Sequence, residues 1–273
     1  TATLTSLVET AKVDYLSITG RTKAVESLLE KIKRKSYKDP KTEITDLSGI
    51  RVITYIEDDL QRVCDLIQTA FNIHSDKSPD KLSELGVDRF GYRSVHYVCD
   101  LGSKRVGLPE YSLYKDMLFE IQVRTVLQHA WAEIEHDRSY KFSGVLPKGL
   151  NRRLHLIAGM LEIADREFNL IAQKLDQYAL EVSKKTEVGN LEVEIDSTSL
   201  KEYLPKKIAR VGNINVLDAH LPILTDEVKR ELEEFGITRI KDINNLLNEN
   251  FLNEVGNYEF STKKNSFLRS AMF

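Results

Sequence analysis

The alternation of apolar and polar residues is most regular at residues 119–124, and the period changes directly afterwards. Because side chains alternate between the two faces of a pleated strand, the apolar residues of this segment would share one face. Its polar residues, Glu120, Gln122 and Arg124, would share the other. From Thr125 onwards, apolar residues recur at helical spacing. The pattern therefore predicts a strand that leads into a helix, with Thr125 as the helix cap.

Two further segments have the pattern of strands. Residues 50–56 form an almost unbroken β-branched run, which is typical of a central strand covered on both faces, and Asp46 lies just before it. A second alternating strand begins near residue 91 and turns Tyr92, Ser94 and His96 to one face. The sequence thus predicts three strands that each carry polar side chains.

Helical periodicity links and follows these strands. It is found in residues 1–13, 22–35, 58–71, 147–182, 200–211, 225–235 and 240–247. The alternation of strands and helices predicts an α/β (α+β) fold, in which a mixed β-sheet is flanked by helices. A long helix and a small, mainly helical C-terminal unit would follow this sheet.

A polar stretch that contains a glycine, residues 184–190, predicts a linker. We therefore expect a main domain with flanking helices over residues 1–185 and a smaller domain over residues 191–273. Our hypothesis is that the smaller domain is regulatory and acts as an inhibitory lid, a sensor, a homo-oligomer contact or the binding site of a regulator.

The composition indicates a globular protein. Of the 273 residues, 41% are hydrophobic and 30% are charged, and no apolar run is long enough to span a membrane. Because no signal segment opens the chain, we expect a cytoplasmic protein without a membrane partner. Cys64 and Cys99 lack the spacing of a zinc site or a disulfide framework, and we expect buried thiols.

Positive charge is concentrated in one segment, although the net charge is −3. Between Arg21 and Lys41 there are eight basic and three acidic residues. Phosphate is the expected partner of such a patch, and a solvated helix face is the alternative interpretation. Lys23, Ser27 and Lys31 follow one another at steps of four, so they would lie along one side of a helix.

The three predicted strands bring polar groups to a common region. Asp46 and Glu120 are carboxylates from different strands, and they would make a Mg²⁺ site if substrate phosphates supplied the other ligands. Two alternatives stay open at this point: Glu120 could form a buried ion pair with Arg124, and His96 could be a hydrogen-bonded core histidine.

Five motifs occur in a fixed order along the chain. They are Arg21-Thr-Lys23, Asp46-Leu-Ser-Gly49-Ile-Arg51, Gly91-Tyr92-Arg-Ser94-Val-His96, Glu120-Ile-Gln122-Val-Arg124-Thr125 and Trp131-Ala-Glu-Ile-Glu135-His136. On these motifs, residues 14–141 resemble the synthetase domain of the RelA/SpoT family, in particular the small alarmone synthetases. The resemblance implies a nucleotidyltransferase-like fold. It also implies a GTP pyrophosphokinase that transfers pyrophosphate from ATP to the 3′-hydroxyl of GTP or GDP, giving (p)ppGpp and AMP.

The resemblance also implies a role for individual residues. Asp46 and Glu120 would hold Mg²⁺, and Glu120 would also accept the proton of the attacking hydroxyl. The residues on the ATP side would be Arg21, Lys23, Ser27, Lys31 and Arg51. The residues on the acceptor side would be Tyr92, which stacks on guanine, together with Ser94, His96, Gln122 and Arg124.

Some features leave alternatives open. Asp88-Arg89-Phe90 stands where many long family members have a basic-Pro-Asn run, so the acceptor is not fixed. A toxic branch of the family, which belongs to toxin–antitoxin systems, pyrophosphorylates the 3′ end of tRNA. The basic residues that could hold an RNA backbone are Lys33, Arg34, Lys35, Arg152 and Arg153.

Further expectations concern a hydrolase domain, a loss of catalytic activity and a second metal site. Nothing before residue 14 could supply the hydrolase domain of the long family members, and a catalytically inactive nucleotide-binding regulator is a third possible function. His129, Glu133 and His136 share one helix face, where they could bind a metal or serve helix packing.

Overall fold

The computed structural model describes residues 1–35, 37, 39–78, 94–141, 148–208, 214–217, 224–256 and 260–263. The chain forms two compact units, Thr1–Leu170 and Ile171–Phe273. The division falls within a 40-residue helix, Lys148–Glu187. This helix also includes the first residues of the predicted linker at 184–190, so that part of the polar stretch is helical.

The first unit is built around a sheet. Its elements, in chain order, are α1 (Ala2–Thr10), β1 (Tyr15–Thr22), α2 (Val25–Lys35), α3 (Pro40–Glu43), β2 (Ser48–Thr54), α4 (Glu57–Ala70), β3 (Asn72–Ile73), β4 (Val95–Asp100), α5 (Gly102–Val106), a 3₁₀ helix (Pro109–Tyr114), β5 (Phe119–Thr125), α6 (Val126–Lys141) and α7 (Lys148–Glu187). Two short helical segments, α5 and the 3₁₀ helix, therefore lie between β4 and β5.

Among the described residues, the sheet has five strands in the order β1-β2-β5-β4-β3. Strands β2 and β5 are parallel, and every other neighbouring pair is antiparallel. This confirms the predicted mixed sheet with flanking helices. The parallel pair β2–β5 lies inside the sheet and carries four of the candidate site residues, Arg51, Glu120, Gln122 and Arg124.

Strand alternation gives the sheet an apolar and a polar face. On the apolar face, Val52, Ile121 and Val123 are fully buried. They belong to one core cluster with residues of α1 and α4, namely Leu4, Val8, Leu60, Val63, Cys64 and Ile67. This packing confirms the predicted inward face of β5. It also fixes the register, since a slip of one residue would exchange the two faces.

The opposite face is a grid of polar side chains, because residues paired across neighbouring strands point to the same side. One row contains Arg21, Gly49 and Glu120. The next row contains Thr19, Arg51, Gln122 and His96. Arg124 lies one row further along β5. The register thus brings residues from four motifs of the sequence onto one surface.

The junction between β5 and α6 is tightly bonded. The Thr125 N–H donates to Gln128 Oε1, and the Gln128 N–H donates to Thr125 Oγ1, both at 3.1 Å. This reciprocal pattern is a capping box, so the predicted cap is confirmed. The Thr125 hydroxyl also donates to Asp165 of α7 at 2.6 Å, with both side chains buried. The end of β5 is therefore held by two helices.

Helix α2 has no buried residue. Two of the apolar residues that give this helix its period are exposed, Val25 to 64% and Leu29 to 51%. The periodicity of α2 is correct, and its other two apolar residues, Leu28 and Ile32, are half-buried. Lys31 also attaches this helix to the rest of the first unit through its ion pair with Asp46.

The second unit is small and mainly helical. Its elements after α7 are α8 (Ser197–Ile208), β6 (Ile214–Leu217), α9 (Asp226–Glu234), α10 (Ile240–Leu246), α11 (Glu249–Gly256) and β7 (Phe260–Lys263). Leu200, Leu204, Leu232, Ile240 and Ile243 are among its fully buried residues. The parallel pair β6–β7 was not predicted. Within the described residues, no helix combines the length and apolar character needed to cross a membrane.

Candidate active site

Asp46 binds two lysines through one of its carboxylate oxygens. Oδ2 lies 2.5 Å from Lys23 Nζ and 2.8 Å from Lys31 Nζ. Burial disfavours the charged carboxylate, but the hydrogen bonds from the two lysines outweigh it and lower the pKa of Asp46. The other oxygen, Oδ1, is buried and has no hydrogen-bond partner among the described residues. Asp46 is thus an anion with one free oxygen.

A pocket of about 640 Å³ lies beside Asp46. It is lined by Arg21, Thr22, Lys23, Ala24, Ser27, Glu30, Lys31, Arg34 and Asp46. Four of the five residues predicted on the ATP side therefore share one pocket. Cations outnumber carboxylates in this lining, so it favours a polyanionic ligand.

The side chain of Arg21 lies across strand β2 at Gly49. A Cβ atom at Gly49 would come within 3.6 Å of Arg21 Cγ and Nε. This is an ordinary van der Waals distance, so the Arg21 side chain lies against β2 at Gly49, in the same row as Glu120 of β5. This close approach connects the basic pocket with the polar face of the sheet.

Glu120 is bonded on both of its oxygens. Oε1 lies 2.6 Å from His96 Nδ1, and Oε2 accepts from Gln122 Nε2 at 3.1 Å. Burial would raise the pKa of Glu120, but His96 and Gln122 outweigh it and lower the pKa. The charge of Asp46 acts in the opposite direction, so the two carboxylates lie within electrostatic range of each other. This is the juxtaposition that a shared divalent cation would favour.

Arg124 turns toward strand β4. Its Nε donates to Ser94 Oγ at 2.9 Å. Burial, followed by the nearby charge of Arg51, lowers the pKa of Arg124. Among the described residues Arg124 forms no salt bridge with Glu120, so the alternative of a simple buried pair between them does not match the structure. Arg124 retains guanidinium donors for an anionic ligand.

His96 is buried against Glu120, with only 9% of the residue exposed. Its second nitrogen, Nε2, is buried without a hydrogen-bond partner among the described residues. The contact with Glu120 through Nδ1 orients the ring. His96 is therefore a core histidine in which, among the described residues, only one of the two ring nitrogens has a hydrogen-bond partner.

Arg51 has a partner that the sequence did not indicate. Its Nη1 lies 2.9 Å from Glu133 Oε1 of helix α6, and Glu133 also lies 3.6 Å from His129 Nδ1. Burial, and then the charge of Arg51, lower the pKa of His129. Within the described residues, no group of three acidic, His or Cys side chains could hold a metal. The side chain of His136, the third member of the predicted cluster, lies outside them.

The remaining candidates are dispersed. Tyr92 lies outside the described residues. Lys33 and Lys35 are exposed near the end of α2, and Arg152 and Arg153 are exposed on α7. Of the five residues considered for RNA binding, the structure brings only Arg34 into the basic pocket.

The two cysteines are free and buried, as predicted. Burial raises the pKa of the Cys64 thiol to about 11 and that of Cys99 to about 12. Both thiols therefore stay protonated near neutral pH and contribute no nucleophile.

The pairing of Asp46 with two lysines predicts a pH-dependent contribution to stability. Its folded-state pKa lies below the ordinary 3.8, so the contribution is present above that value and is lost as the pH falls through the folded pKa. We expect Asp46→Asn to reduce the free energy of unfolding by about 1 kcal/mol at pH 7. Urea unfolding at a series of pH values should show this difference shrinking below pH ~4. A difference that is constant down to pH ~2 would contradict the assigned pairing.

Taken together, the geometry defines a class: a mixed-sheet protein with a basic pocket beside Asp46 and a second buried carboxylate, Glu120, on the polar face of the sheet. Residues 20–145 match the family model described as the region found in RelA/SpoT proteins. The chain is also 32% identical over 169 residues to the GTP pyrophosphokinase YjbM of Bacillus subtilis, an alignment that covers 62% of this chain and 77% of YjbM. The protein belongs to the RelA/SpoT family.

Solved structures agree with this assignment. The small alarmone synthetase 1 of Bacillus subtilis matches with a TM-score of 0.53 and 28% identity, covering 64% of this chain and 90% of that one. The same synthetase bound to its product pppGpp matches with a TM-score of 0.52 and 29% identity, covering 63% and 89%. The fold of the first unit is thus that of the small alarmone synthetases.

Proposed function

We propose that this protein is a Mg²⁺-dependent GTP pyrophosphokinase that transfers pyrophosphate from ATP to the 3′-hydroxyl of GTP or GDP, giving (p)ppGpp and AMP. One observation carries the proposal: Asp46 and Glu120 lie within electrostatic range of each other, and Asp46 also lines the basic pocket. The relatives support it, since YjbM is a GTP pyrophosphokinase and the small alarmone synthetase 1 binds pppGpp as its product.

The basic pocket is suited to the donor nucleotide. Lys23 and Lys31 both contact Asp46 Oδ2, and Arg21 of the same pocket lies in the strand row that contains Glu120. A triphosphate in this pocket would replace Asp46 as the partner of the two lysines. That exchange keeps the lysines paired throughout, because they pass from one anion to another.

The carboxylates fit Mg²⁺. Asp46 Oδ1 is buried without a partner among the described residues, and hard oxygen ligands are those that Mg²⁺ prefers. Asp46 and Glu120 would hold the ion, and phosphate oxygens would complete its ligand set. When bound, Mg²⁺ supplies charge neutralisation at the phosphates and a fixed orientation of the transferred group.

The acceptor would lie on the other side of Glu120, along β4 and β5. Arg124 and Gln122 offer donors to the phosphates and ribose of the acceptor, and Ser94 fixes Arg124. Tyr92 remains the predicted platform for guanine. The 3′-hydroxyl would then attack the β-phosphorus in line, form the new O–P bond and displace AMP. Alignment of two polyanions and neutralisation of their charge would account for most of the rate increase.

Glu120 has a defined place in this reaction. It is ionised near neutral pH because its pKa is lowered, and it is oriented by His96 and Gln122. An ionised carboxylate next to the attacking hydroxyl can accept its hydrogen bond and then its proton. The low pKa makes Glu120 a weak base, so its charge toward the metal is the larger contribution.

Product analysis tests the proposal directly. The purified protein is incubated with Mg²⁺, ATP labelled at the β-phosphate, and GTP, GDP or deacylated tRNA. We expect labelled (p)ppGpp and an equal amount of AMP, with no transfer when EDTA removes the divalent cation. Label on tRNA alone would overturn the proposal in favour of the tRNA-modifying function. Raising the salt concentration separates the two further, since RNA binding through backbone contacts weakens steeply.

A further inference from the structure

Helix α6 brings one carboxylate, Glu133, to the polar face of the sheet. Its Oε1 accepts a hydrogen bond from Arg51 Nη1 at 2.9 Å. The two residues are 82 positions apart in the sequence, so only the packing of α6 beside β2 produces this contact. Because Arg51 is one of the residues predicted on the ATP side, its orientation matters for the donor nucleotide.

Stability alone does not explain the pair. The side chain of Glu133 is 54% exposed and that of Arg51 is 24% exposed. Ion pairs with so much solvent access contribute about 0–1 kcal/mol to folding. A substitution at Glu133 should therefore cost little in stability, whatever it does to the site.

The surroundings of Arg51 give Glu133 a different task. After burial, Arg51 is the largest cause of the lowered pKa of Arg124, and Arg21 acts in the same direction, so three guanidinium groups lie close together. Glu133 acts oppositely on Arg124. Without it, repulsion from the other two cations would drive the Arg51 side chain toward solvent. With it, one Arg51 nitrogen is held in place.

Arg51 keeps donors that Glu133 does not use. Nη1 is taken by Glu133, whereas Nε is buried and has no hydrogen-bond partner among the described residues. A guanidinium that is fixed at one nitrogen and free at another is preorganised for a ligand, which reduces the entropy that binding must overcome.

We infer that Glu133 is a positioning residue that acts through Arg51 to set the affinity for the donor nucleotide. The inference rests on the proposed function, because that function assigns Arg51 to the ATP side. Glu133 orients the Arg51 guanidinium, Arg51 contacts the nucleotide, and the acceptor side is unaffected.

A double-mutant cycle tests this inference. The dissociation constant of a non-hydrolysable ATP analogue is measured for the wild type, Glu133→Gln, Arg51→Ala and the double variant. We expect Glu133→Gln to weaken binding about tenfold in the wild-type background, which corresponds to about 1.4 kcal/mol. In the Arg51→Ala background the same substitution should have no further effect. An equal effect in both backgrounds would overturn the inference.

Kinetics provide a second readout. Glu133→Gln should raise KM for ATP and leave KM for GTP and kcat nearly unchanged, and Glu133→Asp, which keeps the charge, should lie between it and the wild type. A change confined to the acceptor KM would contradict a role through Arg51. Glu167→Gln removes an exposed carboxylate on α7 and serves as the matched control.

The binding measurement also separates this inference from the proposed function. Analogue binding requires no turnover, so the cycle is informative even for a protein that makes no (p)ppGpp. If the protein made no (p)ppGpp but Glu133→Gln weakened analogue binding only when Arg51 was present, the result would refute only the activity. Full activity with independent effects of the two substitutions would refute only the positioning role.

Discussion

Glu120→Gln is expected to lower kcat for pyrophosphate transfer by about 10³-fold while leaving the protein folded. Glutamine has the same shape and can still accept a hydrogen bond from His96, but it lacks the negative charge that would hold Mg²⁺ and receive the hydroxyl proton. The measurement is single-turnover transfer from β-labelled ATP with both substrates saturating, together with thermal unfolding of both proteins. Binding of the ATP analogue should change far less than kcat.

The control for this substitution is Asp65→Asn. Asp65 is an exposed carboxylate on α4, the helix that packs on the apolar face of the sheet, so its charge is remote from the polar face. It should leave kcat unchanged. Retention of wild-type turnover by Glu120→Gln would remove Glu120 from the metal site and from the chemical step.

Asp46→Asn should cause the second-largest loss, about 10²- to 10³-fold in kcat, and should raise the Mg²⁺ concentration needed for half-maximal activity. Its effect on binding should be opposite to its effect on catalysis. Removing the carboxylate frees Lys23 and Lys31 for phosphate, so affinity for metal-free ATP should be equal to or higher than that of the wild type. Isothermal titration with ATP in EDTA, and again with excess Mg²⁺, measures the affinity for ATP without and with the metal.

The outcome in EDTA is decisive for Asp46. If Asn at this position weakened the binding of metal-free ATP as much as it slowed transfer, the carboxylate would serve mainly to organise the lysines. If binding in EDTA is retained while the Mg²⁺ requirement rises, the carboxylate is a metal ligand. The pH series for the same variant reports the lysine contacts independently of either result.

The sequence allowed the polar face to be predicted because a strand has a strict period of two. Once Ile121 and Val123 are assigned to the core, Glu120, Gln122 and Arg124 can only point the other way. The same reasoning placed His96 and Ser94 on one face of their own strand. What the alternation could not provide was the neighbour of each strand, which depends on pairing between distant segments.

The ion pairs were the least predictable part of the site. Glu133 shares helical spacing with His129 and was therefore considered as a metal ligand, yet its partner is Arg51 on another strand. Asp165, which accepts from Thr125, belongs to a helix predicted only from its apolar stripe. Each of these contacts depends on how an element packs, and periodicity within the element contains no information on that.

Very short elements were missed for a related reason. Strand β3 has two residues and β6 and β7 have four each, which is too short to show a period. In α2 the helical period predicted the helix but not the exposure of its apolar residues. Periodicity identifies which residues share a face, and it does not tell whether another element covers that face.

The exposure of α2 affects the energetics of substrate capture. Since none of its residues is buried, this helix can separate from the sheet without disrupting the apolar core, and its local opening should require far less free energy than global unfolding. The apparent affinity for ATP is then lower than the intrinsic affinity, because binding must also restrain this helix. The donor site would therefore release AMP readily, because AMP offers this basic pocket one phosphate in place of the three of ATP.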